Sequence, residues 1–144
     1  MKDAFGGIFN LAIISVFLVI IMGILGLTVS YTRAFRAKNI IISRIEEYKG
    51  YCDSSDTSCF TKIKADTESI VYRPHNLNCP AGYNKMEGLY CWAYVYENPE
   101  GSTAKGKKMR IITQVDIDIP IINKIMGLYF FQVKGDTRYI EEWF

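Results

Sequence analysis

The hydrophobic pattern divides the chain into a long uncharged segment near the N-terminus and a mixed remainder. The segment Ile8–Val29 carries no charge, and its only polar side chains are Asn10, Ser15 and Thr28. Because about 20 apolar residues span the hydrocarbon core of a bilayer as a helix, we predict a transmembrane helix over residues 8–30. A signal peptide has a shorter apolar core followed by a small-residue cleavage site. A soluble protein would need a much larger body to bury such a helix.

The same helix is predicted to continue as an amphipathic stem over residues 31–50. No proline or glycine occurs between Ser30 and Lys49, and Gly50 is a helix stop signal. Charged side chains surround one apolar stripe, which is the pattern of a helix that packs on a partner. The stripe consists of Tyr31, Phe35, Ile41, Ile42, Ile45 and Tyr48.

Alternation of apolar and polar residues predicts three β-strands after the helix. They are Tyr90–Glu97, Arg110–Ile119 and Leu128–Lys134. Pro120 is expected to end the second strand, and Lys134-Gly135-Asp136 predicts a tight turn after which Thr137–Ile140 pairs back as a fourth strand. We therefore expect an α+β fold, in which an antiparallel meander packs on the amphipathic half of the helix within a head of residues 51–144.

Cysteines are the candidate staples of this small head. All of them follow the helix, at Cys52, Cys59, Cys79 and Cys91. We favour the pairs Cys52–Cys59 and Cys79–Cys91 because each closes a short local loop, although sequence alone does not select among the connectivities. Reduced thiols or a zinc site are the alternatives, but zinc sites use tighter ligand pairs. Disulfides imply an oxidising compartment.

Two features disagree about the side of the membrane on which the head lies. Lys2 precedes the apolar segment, whereas Arg33, Arg36 and Lys38 follow it, and the positive-inside rule then places the head in the cytoplasm. The cysteines place it outside. We give the cysteines more weight and predict a single-pass cell-membrane protein with an extracellular head.

Composition and motifs argue against nucleic-acid binding and against catalysis. The net charge is +2, and the basic residues form no stripe. The single histidine, His75, falls in a predicted loop, while Asp116 and Asp118 are predicted on an exposed sheet face and are too few for a calcium site. No phosphate-binding loop or hydrolase motif occurs. We therefore expect neither an enzyme nor a metal or cofactor.

Aromatic residues concentrate on one face of the first predicted strand, at Trp92, Tyr94 and Tyr96. These side chains form either a binding face for a surface ligand, such as a sugar or a protein partner, or part of the core. The sequence leaves both interpretations open.

Four features carry a family resemblance. They are Gly6-Gly7 before the apolar run, the helix through Tyr31, the stem AFRAKNIIISRIEEY and the tail DIDIPIIN…FFQVKGDTRYI. Together they resemble type IV pilin-like proteins, and in particular the TadE-like minor pilins of tight-adherence pili. The resemblance implies a structural subunit of an extracellular filament. Its partners would be lipid before assembly, and copies of itself or related pilins afterwards.

In this resemblance, residues 1–7 stand where pilins have a short leader. Such pilins are cut after a glycine and carry a glutamate at the fifth mature position, whereas a cut after Gly7 places Ala12 there. The glutamate is thought to neutralise the amino terminus of a neighbouring subunit. Our hypothesis is that Asp3 takes this role in an uncut chain, and unchanged filaments in an Asp3→Asn variant would refute it.

A filament would cover the apolar helix with identical helices in place of lipid. The predicted assembly interface comprises Ile13, Phe17, Ile20, Gly23, Ile24 and Leu27. Gly23 and Gly26 permit close helix approach. The stem charges expected to set the register between subunits are Arg33, Arg36, Glu46 and Glu47. The alternative function is a membrane-anchored binding module, or a component of a secretion apparatus, that does not polymerise.

Overall fold

A computed structural model gives the fold over residues 1–50, 52, 57–97 and 106–138. It has an α+β fold, in which a long N-terminal helix packs on an antiparallel sheet, as the sequence predicts. The elements are α1 (Lys2–Glu47), α2 (Thr57–Ser69), β1 (Asn84–Met86), β2 (Tyr90–Glu97), β3 (Gly106–Asp116), α3 (Pro120–Met126) and β4 (Phe130–Asp136). The sheet order is β1-β2-β3-β4, so the predicted meander is confirmed.

Helix α1 has 46 residues, which corresponds to about 69 Å at 1.5 Å per residue. Its C-terminus is a Schellman motif. The Gly50 N–H donates to the Ile45 carbonyl at 2.8 Å, and the Lys49 N–H donates to the Glu46 carbonyl at 3.1 Å. Lys49 holds the left-handed position with φ of +53°. The predicted stop at Gly50 is therefore confirmed.

The second half of α1 packs on β3 and β4. Its fully buried residues are Ala34, Ala37, Ile41 and Ile45. Tyr31 and Phe35 belong to the predicted stripe but lie at the exposed edge of this contact, with 44% and 41% of their surface exposed. The two alanines were not part of the predicted stripe, yet they make the contact close because a methyl side chain leaves room for the sheet.

Helix α2 is absent from the sequence prediction, which expects a β-rich head. It packs beside α1, where Arg44 Nε donates to Asp66 Oδ2 at 2.8 Å. Its fully buried stripe is Cys59, Ile63 and Thr67. Only one of these three residues is strongly apolar, so hydrophobic periodicity does not reveal the helix.

The strand predictions are partly right. The first strand is confirmed at its predicted bounds, Tyr90–Glu97. The second strand ends earlier, at Asp116, and Pro120 begins α3. Proline suits this position because the first helical residue needs no N–H donor. The fourth strand is β1, since Thr137 and Arg138 lie in no strand and residues 139–140 fall outside the described part of the chain.

The turn predicted at Lys134-Gly135-Asp136 is wrong. These residues continue β4, where Asp136 pairs with Arg110 of β3. The glycine serves close packing instead, because a Cβ at Gly135 would lie 2.7 Å from Lys38 Cδ and 2.9 Å from Ile42 Cδ1.

Residues 70–83 start on the α1 side of the sheet, where Tyr72 joins a core cluster with Ala34, and then cover the face that α1 leaves open. Ile112 of β3 packs there against Leu77, and five consecutive β3 residues, 111–115, are buried because both faces are covered. The disulfide Cys79–Cys91 fastens this segment to β2. The disulfide Cys52–Cys59 joins the α1–α2 connection to α2. The favoured pairing is thus the one observed.

Candidate functional site

The apolar half of α1 protrudes from the head without cover. At the predicted interface, 52% of Ile13, 64% of Phe17, 52% of Ile20 and 57% of Ile24 is exposed, while Leu27 is half-buried. A Cβ added to Gly23 would meet no atom within 4 Å. By length and composition, α1 is able to cross a membrane.

The predicted interface and the head occupy the same side of α1. With 3.6 residues per turn, Ile13, Phe17, Ile20, Ile24 and Leu27 project on to roughly the side that Ala34, Ile41 and Ile45 turn toward the sheet. The opposite face is open along the whole helix. Its exposed apolar residues include Leu11, Ile14, Leu18 and Leu25.

The predicted leader region continues the helix, because α1 begins at Lys2. Asp3 is exposed in the first turn. Among the described residues of the head, none is bonded to Asp3, and the partner that we predict for it is the amino terminus of a neighbouring chain.

The stem charges fall into two groups. Arg33 and Arg36 are exposed at the base of the head. Glu47 pairs with Arg44 at 2.6 Å, and Glu46 Oε1 accepts the backbone N–H of Arg138 at 2.8 Å. Hydrogen bonding to Glu47, and then to Asp66, raises the pKa of the Arg44 guanidinium. Both glutamates thus already have partners within their own chain.

The aromatic residues predicted to form one face of β2 also differ in their surroundings. Trp92 packs against the main core, and its ring lies edge-on to Tyr94 at a centroid distance of 5.2 Å. Tyr94 is 38% exposed, and Lys107 Nζ lies 3.9 Å from its ring centroid. The side chain of Tyr96 falls outside the described residues. Core packing therefore accounts for Trp92, and Tyr94 is left as the exposed aromatic.

An open cleft of about 730 Å³ lies where the 70–83 segment meets the end of β3 and the start of β4. The sequence predicts Asp116 on an exposed sheet face, but the residue is half-buried at this cleft. Its carboxylate accepts the backbone N–H of His75 at 2.5 Å and the side-chain amide of Gln114 at 2.7 Å. Asp118 is exposed at the cleft, beyond the end of β3. The described residues contain no cluster of His, Cys, Asp or Glu that could hold a metal ion.

Two buried polar residues that sequence reasoning missed hold this segment on the sheet. Gln114 is 2% exposed, and its side chain accepts the Asn78 N–H at 3.0 Å and donates to the His75 carbonyl at 3.0 Å. The Tyr72 hydroxyl accepts the Gln114 N–H at 3.1 Å and donates to the Leu89 carbonyl at 3.2 Å. Burial raises the pKa of Tyr72. Both side chains are structural, since their polar atoms are occupied.

Fold and site together define an α+β protein in which one helix is both the spine of a disulfide-bonded head and a protruding apolar rod. Comparison with protein-family models, with characterised proteins and with solved structures finds no match. The pilin-like resemblance therefore rests on the residues of this chain alone.

Proposed function

We propose that this chain is a structural subunit of an extracellular filament resembling a type IV pilus, assembled through α1. The observation that carries the proposal is the continuity of α1. A single 46-residue helix includes both the uncovered apolar rod and the stem that is built into the head. The orientation of the head relative to the rod is fixed, as regular packing of many copies requires.

The exposed apolar surface of the rod needs a covering. Soluble monomers rarely expose contiguous apolar patches larger than a few hundred Å², whereas apolar side chains line this rod on every side from Ile8 to Val29. Lipid covers it before assembly in our proposal, and neighbouring helices cover it afterwards. Repeated contact between identical chains that does not close into a ring yields a helical filament.

The open face of α1 offers a first contact for such a neighbour. Leu11, Ile14, Leu18 and Leu25 lie on the side away from the head, so a second helix can run along them without meeting the head of the same chain. The predicted interface on the other side then meets further neighbours, because a helix inside a filament is surrounded.

An anchored module that does not polymerise is the competing proposal. The same rod would hold it in a membrane, and Tyr94 or the cleft beside Asp118 would offer a binding surface. The rigid junction between rod and head favours the filament, because a tethered module gains reach from a flexible linker. In both proposals the disulfides favour a head outside the cytoplasm.

Shearing separates the two proposals. Filaments sheared from cells are expected to contain the full chain, whereas an anchored module stays in the membrane fraction. A Gly23→Leu variant tests the helix contact, because it keeps the rod apolar and meets nothing within its own chain. We expect this variant to remain in the membrane, while Val16→Leu, which adds one methylene group at an exposed non-glycine position, assembles normally. Absence of the unmodified chain from the sheared fraction would refute the filament.

A further inference from the structure

A second apolar surface lies on the head itself. It is formed by the end of α3 and the residues that lead into β4, and its exposed fractions are 78% for Ile125, 46% for Leu128, 65% for Tyr129 and 38% for Phe130. We call these four residues the α3 patch. They follow one another closely in the chain and do not join any of the buried core clusters of the described residues.

The alignment of β4 along α1 shows where the patch lies along the axis of the helix. The Phe131 ring stacks on Tyr31 at 5.8 Å, and the Arg138 N–H reaches Glu46 Oε1 at 2.8 Å. The seven steps from Phe131 to Arg138, about 23 Å in extended chain, thus accompany the fifteen helical steps from Tyr31 to Glu46, about 22 Å. Strand and helix therefore run side by side in the same direction, and the start of β4 points toward the apolar rod.

Continuing this register places the patch beside the end of the rod. The Ile117 N–H donates to the Tyr129 carbonyl at 2.9 Å, so the extended pairing continues past the start of β4. Tyr129 then lies about 7 Å closer to the rod than Phe131 does. Along α1 this distance corresponds to about four residues before Tyr31. That position is Leu27, inside the apolar segment that ends at Val29.

We propose that the α3 patch is a second, shallow membrane contact, which enters the interface of the leaflet where α1 leaves the hydrocarbon core. The proposal rests on the membrane location of α1 in the proposed function. Lipid is the occupant that the observations favour, because the patch continues the apolar surface of the rod at the same level. Tyrosine is enriched at that depth in membrane proteins, and the exposed cations Arg33 and Lys124 suit phospholipid headgroups.

Depth measurements on the full chain test this contact. The chain is reconstituted at high dilution in bilayers of phosphatidylcholine and phosphatidylglycerol, with one nitroxide coupled to p-acetylphenylalanine at Tyr129, Tyr94 or Ile20. Tyr94 is the matched control, since it is an exposed tyrosine paired with Met109, at the end of the sheet away from the rod. Paramagnetic resonance then compares accessibility to oxygen with accessibility to a water-soluble nickel chelate.

We expect the label at Tyr129 to exclude the chelate and report interfacial depth, the label at Tyr94 to behave as in water, and the label at Ile20 to lie deep. If Tyr129 is as accessible to the chelate as Tyr94 while Ile20 is deep, the patch proposal fails and the anchor stands. A water-accessible Ile20 overturns the anchor as well. Spin–spin broadening at Tyr129 that disappears on mixing with unlabelled chain would show that another copy, and not lipid, covers the patch.

Discussion

The hydroxyl of Thr113 donates a 3.0 Å hydrogen bond to the backbone carbonyl of Ala34, and both residues are fully buried. This bond ties the centre of the sheet to the point where α1 enters the head. Because Ala34 has only a methyl side chain, β3 comes close enough for a short hydroxyl to reach the helix backbone. The contact fixes the junction between rod and head on which the proposed filament depends.

Replacing Thr113 with valine tests this junction. The substitution keeps the shape of the side chain and removes one buried hydrogen bond, so we expect the free energy of unfolding to fall by about 1 kcal/mol. Guanidinium unfolding of the chain in detergent, followed by near-UV circular dichroism, measures the change. Thr32→Val is the control, because that hydroxyl only bonds the Thr28 carbonyl on the exposed helix surface. Equal effects of the two variants would show that the helix–sheet bond contributes nothing of its own.

The end of α2 offers a stabilising substitution. Here the Tyr72 N–H donates to the Thr67 carbonyl at 3.1 Å and the Val71 N–H to the Glu68 carbonyl at 3.0 Å, which again is a Schellman motif. Val71 occupies the left-handed position with φ of +56°, although β-branched residues are strained there. Its side chain is 63% exposed, so little packing is lost when it is removed.

We therefore expect Val71→Gly to raise the free energy of unfolding by about 1 kcal/mol, the lower end of the cost of a non-glycine residue in this conformation. Val71→Ala is the matched control, since it removes the branch but retains a Cβ, and it should recover less. Thermal and guanidinium unfolding measure both variants. A glycine variant no more stable than the alanine variant would argue that this backbone is unstrained.

The ion pair between Arg110 and Asp136 makes stability depend on pH. The two side chains join neighbouring strands through bonds of 2.7 and 2.8 Å. Hydrogen bonding to Arg110 lowers the pKa of Asp136 in the folded state. Since the folded pKa lies below the unfolded one, ordinarily about 3.9, the stabilisation is fully present above about pH 4. It is lost as the pH falls through the folded pKa.

Asp136→Asn should consequently reduce the free energy of unfolding by up to about 1 kcal/mol at neutral pH, as partly exposed pairs do. The difference between the two proteins should close in strong acid and shrink in high salt. Unfolding curves collected across the acid range measure it. A deficit that stays constant with pH would mean that the pair's charge is not responsible.

The hydrophobic pattern predicts the long helix from its unbroken apolar run, and it predicts the stem and the meander from their apolar stripes. It fails where small or polar residues do the packing. The apolar stripe does not include Ala34 and Ala37, and periodicity does not reveal α2 because Cys59 and Thr67 flank its single buried isoleucine. The sequence predicts a turn at Gly135, although only the approach of α1 explains why a glycine stands there.

The two disulfides provide the last prediction, because they have similar loop lengths but different positions in the fold. Their sequence separations are 7 for Cys52–Cys59 and 12 for Cys79–Cys91, so loop closure predicts losses of about 2.5 and about 3 kcal/mol when each is removed. Only the second joins to β2 the part of residues 70–83 that lies on the outer face of β3. The pair Cys79→Ser and Cys91→Ser should therefore release that segment while α1 stays on the sheet.

Hydrogen exchange at single amides measures the release. The His75 N–H bonds the Asp116 carboxylate, and the Asn78 N–H bonds the side-chain oxygen of Gln114, so both amides are protected only while the segment is docked. We expect both to exchange faster without Cys79–Cys91 and to remain protected in the control that lacks Cys52–Cys59. If both double variants lose this protection equally, the segment and the helical side of the head open as one unit, and the disulfide has no local role in covering the sheet.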